Sequence, residues 1–295
     1  MLRLIYRQRR RLLFGSFFGT LALMMMALDL GGLEVFGTYP MWIIVTSLVL
    51  TSLVVATCIF ATSALLVLLL PNWRTMIELL ALVMFASASI SVLFPAVYDL
   101  PLIGSFWPFI LTITIFSVIY GEVLDRFRIW VDYRSKRSFV SPKSAQELWT
   151  ELVPGEAPIA DHWDSMLYML EPDPDEPDSY AVQYTHGGSV YEHQTMTYLE
   201  KDAPHFAKYH HVGEVDPKNR SLVEGTYEIE ITPRAKGGCK VTFTASRNLM
   251  LHRQALALWF DDHLGDQADY LRAKHLGRSD WSQSGRLRRK ISQYA

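Results

Sequence analysis

From Met41 to Leu70 the chain reads MWIIVTSLVLTSLVVATCIFATSALLVLLL, thirty positions without one Asp, Glu, Lys, Arg or His. A helix needs roughly 20 apolar residues to cross the hydrocarbon core of a bilayer. A buried helix of a soluble protein would carry a polar stripe, and this run carries none. It therefore predicts a membrane span. Similar runs follow the same logic from Leu12 to Leu28, Met76 to Val97 and Leu102 to Leu124. Between residues 12 and 124 only Asp29, Glu34, Arg74, Glu78, Asp99 and Glu122 are formally charged. Gly15 and Gly19 in the first run have the GxxxG spacing that lets two helices approach closely.

The basic residues orient these four runs. Arg3, Arg7, Arg9, Arg10 and Arg11 precede the first, Arg74 lies between the second and third, and Arg126, Arg128, Arg134, Lys136 and Arg137 follow the fourth. The other two loops hold no Lys or Arg, so the positive-inside rule places both ends of a four-span bundle in the cytoplasm. Trp42 and Trp107 fall at outer ends, Trp73 and Trp130 at inner ends, as an aromatic belt requires. The arginine-rich start lacks a small-residue cleavage site and more spans follow, so it reads as an uncleaved first span. Ionisable residues near the midplane would mark a transport path. Here Glu78, four residues after Arg74, reads as a local ion pair, and Glu122 and Asp29 lie near the faces. Anchoring and helix packing is the expected role of the spans.

After residue 132 the pattern changes to alternation with turn signals. Ser-Phe-Val at 138–140 ends a first strand, and Ser141-Pro142 reads as a helix start before SAQELWTEL. MLYML reads as a strand, and the acidic, proline-rich 171–178 as an exposed connector. SYAVQYT, SVYEHQTMTYLE, HFAKYHHVGEV, LVEGTYEIEIT and CKVTFTAS then form a run of hairpins. In the last two, Val223, Tyr227, Ile229 and Ile231 share one face, as do Val241, Phe243 and Ala245. A single helix from Met250 to Leu276, ended by Gly277, closes the pattern with the stripe Leu256, Trp259, Phe260, Leu264, Ala268 and Leu271. The predicted order is strand, helices, long antiparallel meander and terminal helix, which a bent sheet wrapped against that helix satisfies.

FVSPKSAQELWTEL, the glycine turn before CKVTFTAS, and LALWFDDHLGDQADYLRAKHLG resemble the START-like (SRPBCC, helix-grip) superfamily over residues 133–277. The fold class expected is thus an α-helical membrane bundle of four transmembrane helices (residues 1–132), an α+β helix-grip START-like domain (133–277), and a basic tail (278–295). The resemblance implies an apolar ligand held between sheet and last helix, with Tyr198, Tyr227, Phe243, Phe260 and Leu264 as expected lining residues. The same aromatic side chains serve equally to fill a solid core. The polyketide cyclases of the superfamily use varied pocket acids and histidines, and no catalytic set carries over to this chain.

Composition and charge refine this picture. Residues 139–277 hold 22 acids against 12 lysines and arginines, a balance of −10, while the whole chain is at −2. All nine histidines lie in the second half. His210 and His211, adjacent on a strand, point to opposite faces, and His263 reads as a surface or satisfied histidine, so no metal site is expected. No GxSxG, HExxH, P-loop or GxGxxG occurs, and no cofactor or nucleic-acid partner is expected. Cys58 lies in a span and Cys239 in a strand, so no disulfide framework arises. Arg278, Arg286, Arg288, Arg289 and Lys290 make the tail a candidate for contact with anionic membrane lipids.

Three functions follow as expectations. The first is a membrane-tethered module that binds a lipid or other apolar small molecule at the cytoplasmic face, in a multi-pass protein of a bacterial inner membrane. The second is a cyclase-like enzyme using the same cavity. The third is a structural subunit with a filled core that packs against a membrane protein partner.

Overall fold

The computed structural model describes residues 1–29, 38–100, 103–127, 129–186, 191–213 and 223–291, in two compact units, Met1–Val123 and Leu124–Ala295.

The first unit is helical: α1 (Leu2–Arg7), α2 (Arg9–Asp29), α3 (Met41–Leu69), α4 (Met76–Leu93) and α5 (Ile103–Ile119). Three segments are long and apolar enough to cross a membrane, Arg9–Asp29, Met41–Leu69 and Pro71–Leu93, with mean hydropathies of 1.7, 2.5 and 2.2. The chain has the character of a membrane protein. The fourth expected span is the 17-residue α5, which carries Pro108 within it and is shorter than the other three. Gly15 of α2 lies against Ile77 of α4, and Gly19 lies against Ile59 of α3, so these glycines sit where helices meet. Leu4, Leu12, Val67 and Ile77 form one buried cluster, and Leu79, Val83 and Leu111 another.

Glu78 has partners beyond the local pair expected with Arg74. Its carboxylate is buried and accepts from Arg11 of α2 and from the hydroxyl of Tyr120, while Arg74 donates to the carbonyl of Pro71 at 3.0 Å. Helical spacing makes Arg74 the nearer cation in sequence, but packing of α2 on α4 brings a fully enclosed one.

The second unit is an α+β fold around one antiparallel sheet of seven strands. These are β1 (Trp130–Ser141), β2 (Leu167–Pro172), β3 (Ser179–Thr185), β4 (Tyr191–Asp202), β5 (Phe206–Gly213), β6 (Glu224–Pro233) and β7 (Cys239–Leu251), in the order β1-β7-β6-β5-β4-β3-β2. β1 and β2 thus lie at opposite edges, and α6 (Ala145–Leu152) lies in the link between them. The helices α7 (His252–Asp261), α8 (His263–His275) and α9 (Gln283–Ile291) follow the sheet. Leu264, Ala268 and Leu271 of α8 join Ala207, Ile229, Ile231, Val241 and Phe243 of the sheet and Leu148, Trp149 and Leu152 of α6 in one core. A curved sheet gripping a helix is what the alternation of β6 and β7 requires, since each apolar face needs the other.

Three element boundaries differ from expectation. The helix α6 starts later, because Ser144 rather than Ser141 is its N-cap. The Ser144 hydroxyl accepts from the Glu147 amide, and the Glu147 carboxylate accepts from the Ser144 amide, a capping box. The terminal helix is two helices after an extended strand. Met250 and Leu251 pair with Val131 and Trp130 in the sheet, and Asp262 then breaks the helix in a left-handed conformation, φ 46°. Asp262 is buried and accepts from Arg137 of β1 at 2.8 and 2.6 Å, so a charge held by the sheet fixes the break. Finally, residues 283–291 form a helix of this unit rather than a bare basic tail, and Arg288 and Ile291 are buried. The link between SYAVQYT and SVYEHQTMTYLE, where His186-Gly187-Gly188 predicts a turn, lies largely outside the described residues.

Candidate functional site

Register places two rows of side chains across the inner face of the sheet. Tyr198, Tyr209, Tyr227 and Ala245 are successive partners on β4, β5, β6 and β7. Their rings continue one another: Tyr198 lies 5.9 Å from Tyr209, Tyr209 stacks at 5.5 Å on Tyr227, and Tyr227 lies 5.6 Å from Phe243. Contacts at these spacings each stabilise by about 0.5–1.5 kcal/mol beyond their burial. The neighbouring row is Met196, His211, Gly225 and Arg247. Gly225 lies so close against the backbone of Ser246 and Arg247 that no Cβ fits there.

Several groups on this face keep accessible surface although the protein encloses them. Tyr184, Tyr209 and Tyr227 are half-buried by area, and burial is the leading cause that pushes each phenol above its ordinary pKa. His263, in the first turn of α8, is exposed by area, yet burial followed by the charge of Arg247 pushes it down to about 4. His211 is buried and likewise pushed down to about 4, first by burial and then by Arg247. Neither ring nitrogen of His211 has a hydrogen-bond partner among the described residues, and neither does the Tyr227 hydroxyl. A buried polar group without a partner costs stability and so calls for a reason.

A polar cluster ties α8 and α9 to the rest of the domain. Arg288 of α9 donates from Nε to Asp164 at 3.0 Å and covers the rings of Trp163 and Tyr270 at 4.7 and 5.2 Å. Asp266 of α8 holds the start of α9 by accepting from the amides of Gln283 and Ser284 at 3.0 and 2.6 Å. Burial raises the pKa of Asp266 and these bonds oppose the rise. Asp164 and Arg288 both act electrostatically on Tyr184, Tyr227 and His263, so this pair and the inner face share one neighbourhood. Arg288 is thereby withdrawn from the set of cations expected to meet membrane lipid.

A separate cluster holds the beginning of the domain to its end. Glu151 of α6 takes Lys143 at 2.6 Å, Lys274 at 2.8 Å and His275 at 2.9 Å. Burial would raise this carboxyl, but the three bonds outweigh it and hold the group well below its ordinary value. A depressed carboxylate contributes stability above its unfolded value of 4.5, which is lost as pH falls towards the folded value. His211 and His263 are also depressed, so their contribution is present above 6.5 and lost between 6.5 and about 4. Thermal midpoints of the full chain in detergent should therefore fall in two stages on acidification. His211→Gln with His263→Gln should flatten the upper stage, and Glu151→Gln the lower.

Of the residues expected to line a ligand space, Tyr198, Phe243 and Leu264 are buried in the main core and Tyr227 packs partly against it. Phe260 lies on α7, buried and edge-on to Trp259 at 5.2 Å, and is not part of that cluster. Sequence reasoning did not single out Tyr184, Tyr209 or Arg247, while His263 is exposed and lies 3.2 Å from Gln267, as a surface or satisfied histidine would. Parity was a usable signal for Arg247, which continues the Val241, Phe243, Ala245 series. Among the described residues no three His, Cys, Asp or Glu side chains converge as metal ligands.

No family model matches the chain, and no curated protein matches it. Solved structures similar to it include a protein of unknown function from Staphylococcus aureus, 10% identical with a TM-score of 0.37, covering 56% of this chain and 98% of the other. A conserved protein from Geobacillus kaustophilus is 16% identical with a TM-score of 0.34, covering 55% of this chain and 96% of its own. The Mll3558 protein from Rhizobium loti is 12% identical with a TM-score of 0.33, covering 44% and 97%.

Proposed function

We propose that this protein is a membrane-tethered START-like module that binds a lipid or other apolar small molecule at the cytoplasmic face. The observation that carries the reading is the ladder of rings, Tyr198, Tyr209, Tyr227 and Phe243, that runs across one face of the sheet. Ligand spaces are concave and mostly apolar with a few placed polar groups, and a ring ladder beside His211 and Arg247 has that character. A tether suits such a ligand, because a molecule drawn from a bilayer then travels a short distance. In this reading α5 is the fourth crossing, both ends are cytoplasmic, and Tyr198, Tyr227, Phe243 and Leu264 support the ligand's apolar part.

A cyclase-like activity is the second reading, favoured by His211, a buried imidazole whose ring nitrogens have no hydrogen-bond partner among the described residues. Proton transfer would need a substrate atom within hydrogen-bond reach of it.

The test is native mass spectrometry of the full chain purified in a mild non-ionic detergent. One apolar molecule per chain should be retained, and Tyr209→Trp, which adds bulk to the ladder, should reduce it. A wild-type chain that neither retains nor takes up any apolar molecule sinks the reading. Reporter fusions after Thr38, Arg74 and Asp99 test the orientation, which a cytoplasmic signal from the first or third loop overturns.

A further inference from the structure

Apolar side chains stand exposed at one end of the second unit. Phe127 and Ile129 precede β1, Val131 lies at its start, and Leu249 lies near the end of β7. Phe127 is 71% exposed and Leu249 47%. The register brings the two ends together: Val131 opposes Met250, and the Leu249 amide donates to the Asp132 carboxylate at 3.4 Å. Residues 127 to 131 span at most about 14 Å of extended chain, so these side chains belong to one patch. Leu249 is held at φ 50°, in the left-handed region that a leucine adopts only at a cost. It lies opposite the register shift between Val131 and Tyr133. Strain that keeps an apolar side chain in the open calls for a reason.

The position of the patch in the chain supplies one. The apolar helix α5 ends at Ile119, so Phe127 lies within about 28 Å of that end even on a fully extended link. The link is also seated on the domain. Its Asp125 carboxylate lies 2.9 Å from the Arg253 guanidinium and 3.8 Å from the His252 ring, both in the first turn of α7. Arg126, between Asp125 and Phe127, is exposed. Apolar side chains rimmed by a cation suit the interface of a bilayer with anionic head groups. We propose that Phe127, Ile129, Val131 and Leu249 enter the interface of the bilayer that the spans cross, with Arg126 at its anionic head groups. This rests on reading α5 as a crossing and is independent of the ligand reading. A second copy or a soluble partner would cover the same side chains without lipid.

The test places a nitrobenzoxadiazole label on the full chain, with Cys58→Ser and Cys239→Ala, in nanodiscs of phosphatidylcholine and phosphatidylglycerol. Labels go one at a time on Leu249→Cys, Phe127→Cys, Lys236→Cys and Ile113→Cys. A lipid doxyl-labelled near its head group should quench about half of the emission at 249 and 127, as interfacial side chains reach that depth. Position 236 lies in the turn between β6 and β7, and the length of β7 puts it roughly 33 Å from position 249. Its label should keep its emission. Absence of quenching at 249 and 127 overturns the inference. Blue-shifted emission there without quenching also overturns it, because protein then covers the patch. Equal quenching at 236 overturns the assignment to this end of the sheet. Ile113, within α5, is read with a lipid doxyl-labelled deep in its chain. No quenching at 113 overturns α5 as a crossing, whereas positions 127 and 249 alone decide the patch. Should Leu249→Cys not fold, Phe127→Cys decides.

Discussion

Trp149→Ala should destabilise the second unit by about 3–5 kcal/mol, the range for emptying a large buried aromatic site. Trp149 is 1% exposed and sits on α6 in the same core as Phe243 and Leu271. Its indole N–H donates to Glu156 at 2.6 Å, so truncation both opens a void and removes a donor from a carboxylate. Glu156 also pairs with Lys201 of β4, and the loss therefore spreads from α6 to the sheet. The check is chemical unfolding of the full chain in detergent, followed by far-ultraviolet circular dichroism because the substitution removes a fluorophore. Trp149→Phe, which keeps most of the volume and loses the hydrogen bond, should cost clearly less. A loss under about 1 kcal/mol for the alanine variant would mean that α6 closes over the void and that Trp149 does not anchor this core.

That core was legible in the sequence where a single strand or helix carries its own signal. Tyr227, Ile229 and Ile231 alternate with Glu228 and Glu230, and the structure buries Ile229 and Ile231 as that alternation demands. Leu264, Ala268 and Leu271 recur at helical spacing and are buried on α8. What depends on a distant partner was not legible. The break at Asp262 carries no glycine or proline, and it exists because Arg137, 125 positions earlier, waits on β1. The start of α6 depends on which of two nearby serines finds Glu147 three residues on. The basic row of the candidate site needs the registers of β5, β6 and β7 together, since His211, Gly225 and Arg247 become neighbours only across strands. The tyrosines expected to line a ligand space were found as single residues, while their order as a ladder again came from register.

The C-terminal helix shows how composition misleads when it is read without burial. Five cations in residues 278–290 read as a surface for lipid, yet Arg288 is 4% exposed and bonded to Asp164. Its aromatic neighbours, Trp163 and Tyr270, come from two other parts of the domain. A charged residue in such a place stitches elements together, and the Asp266 carboxylate that caps α9 does the same from below. The second unit therefore continues past Gly277 through α9.

Arg11→Ala should be the most damaging single change in the helical unit, at about 3–5 kcal/mol, because it takes a buried cation away from a buried carboxylate. Arg11 and Glu78 are each about 1% exposed at their side chains and lie 67 positions apart, on α2 and α4. The Tyr120 hydroxyl donates to the same Glu78 oxygen, so the cluster joins α2, α4 and the segment after α5. In an apolar surround neither charge is tolerable alone, since each would lose hydration without gaining a partner. The pair itself need not be stabilising relative to apolar side chains of equal volume. Arg11→Met combined with Glu78→Leu and Tyr120→Phe should therefore recover most of what Arg11→Ala loses. Helix loss on titrating dodecyl sulfate into maltoside micelles measures both. If the single change is silent, the cluster does not join these helices, and if the triple variant is as weak as the single one, the charges contribute more than their burial costs.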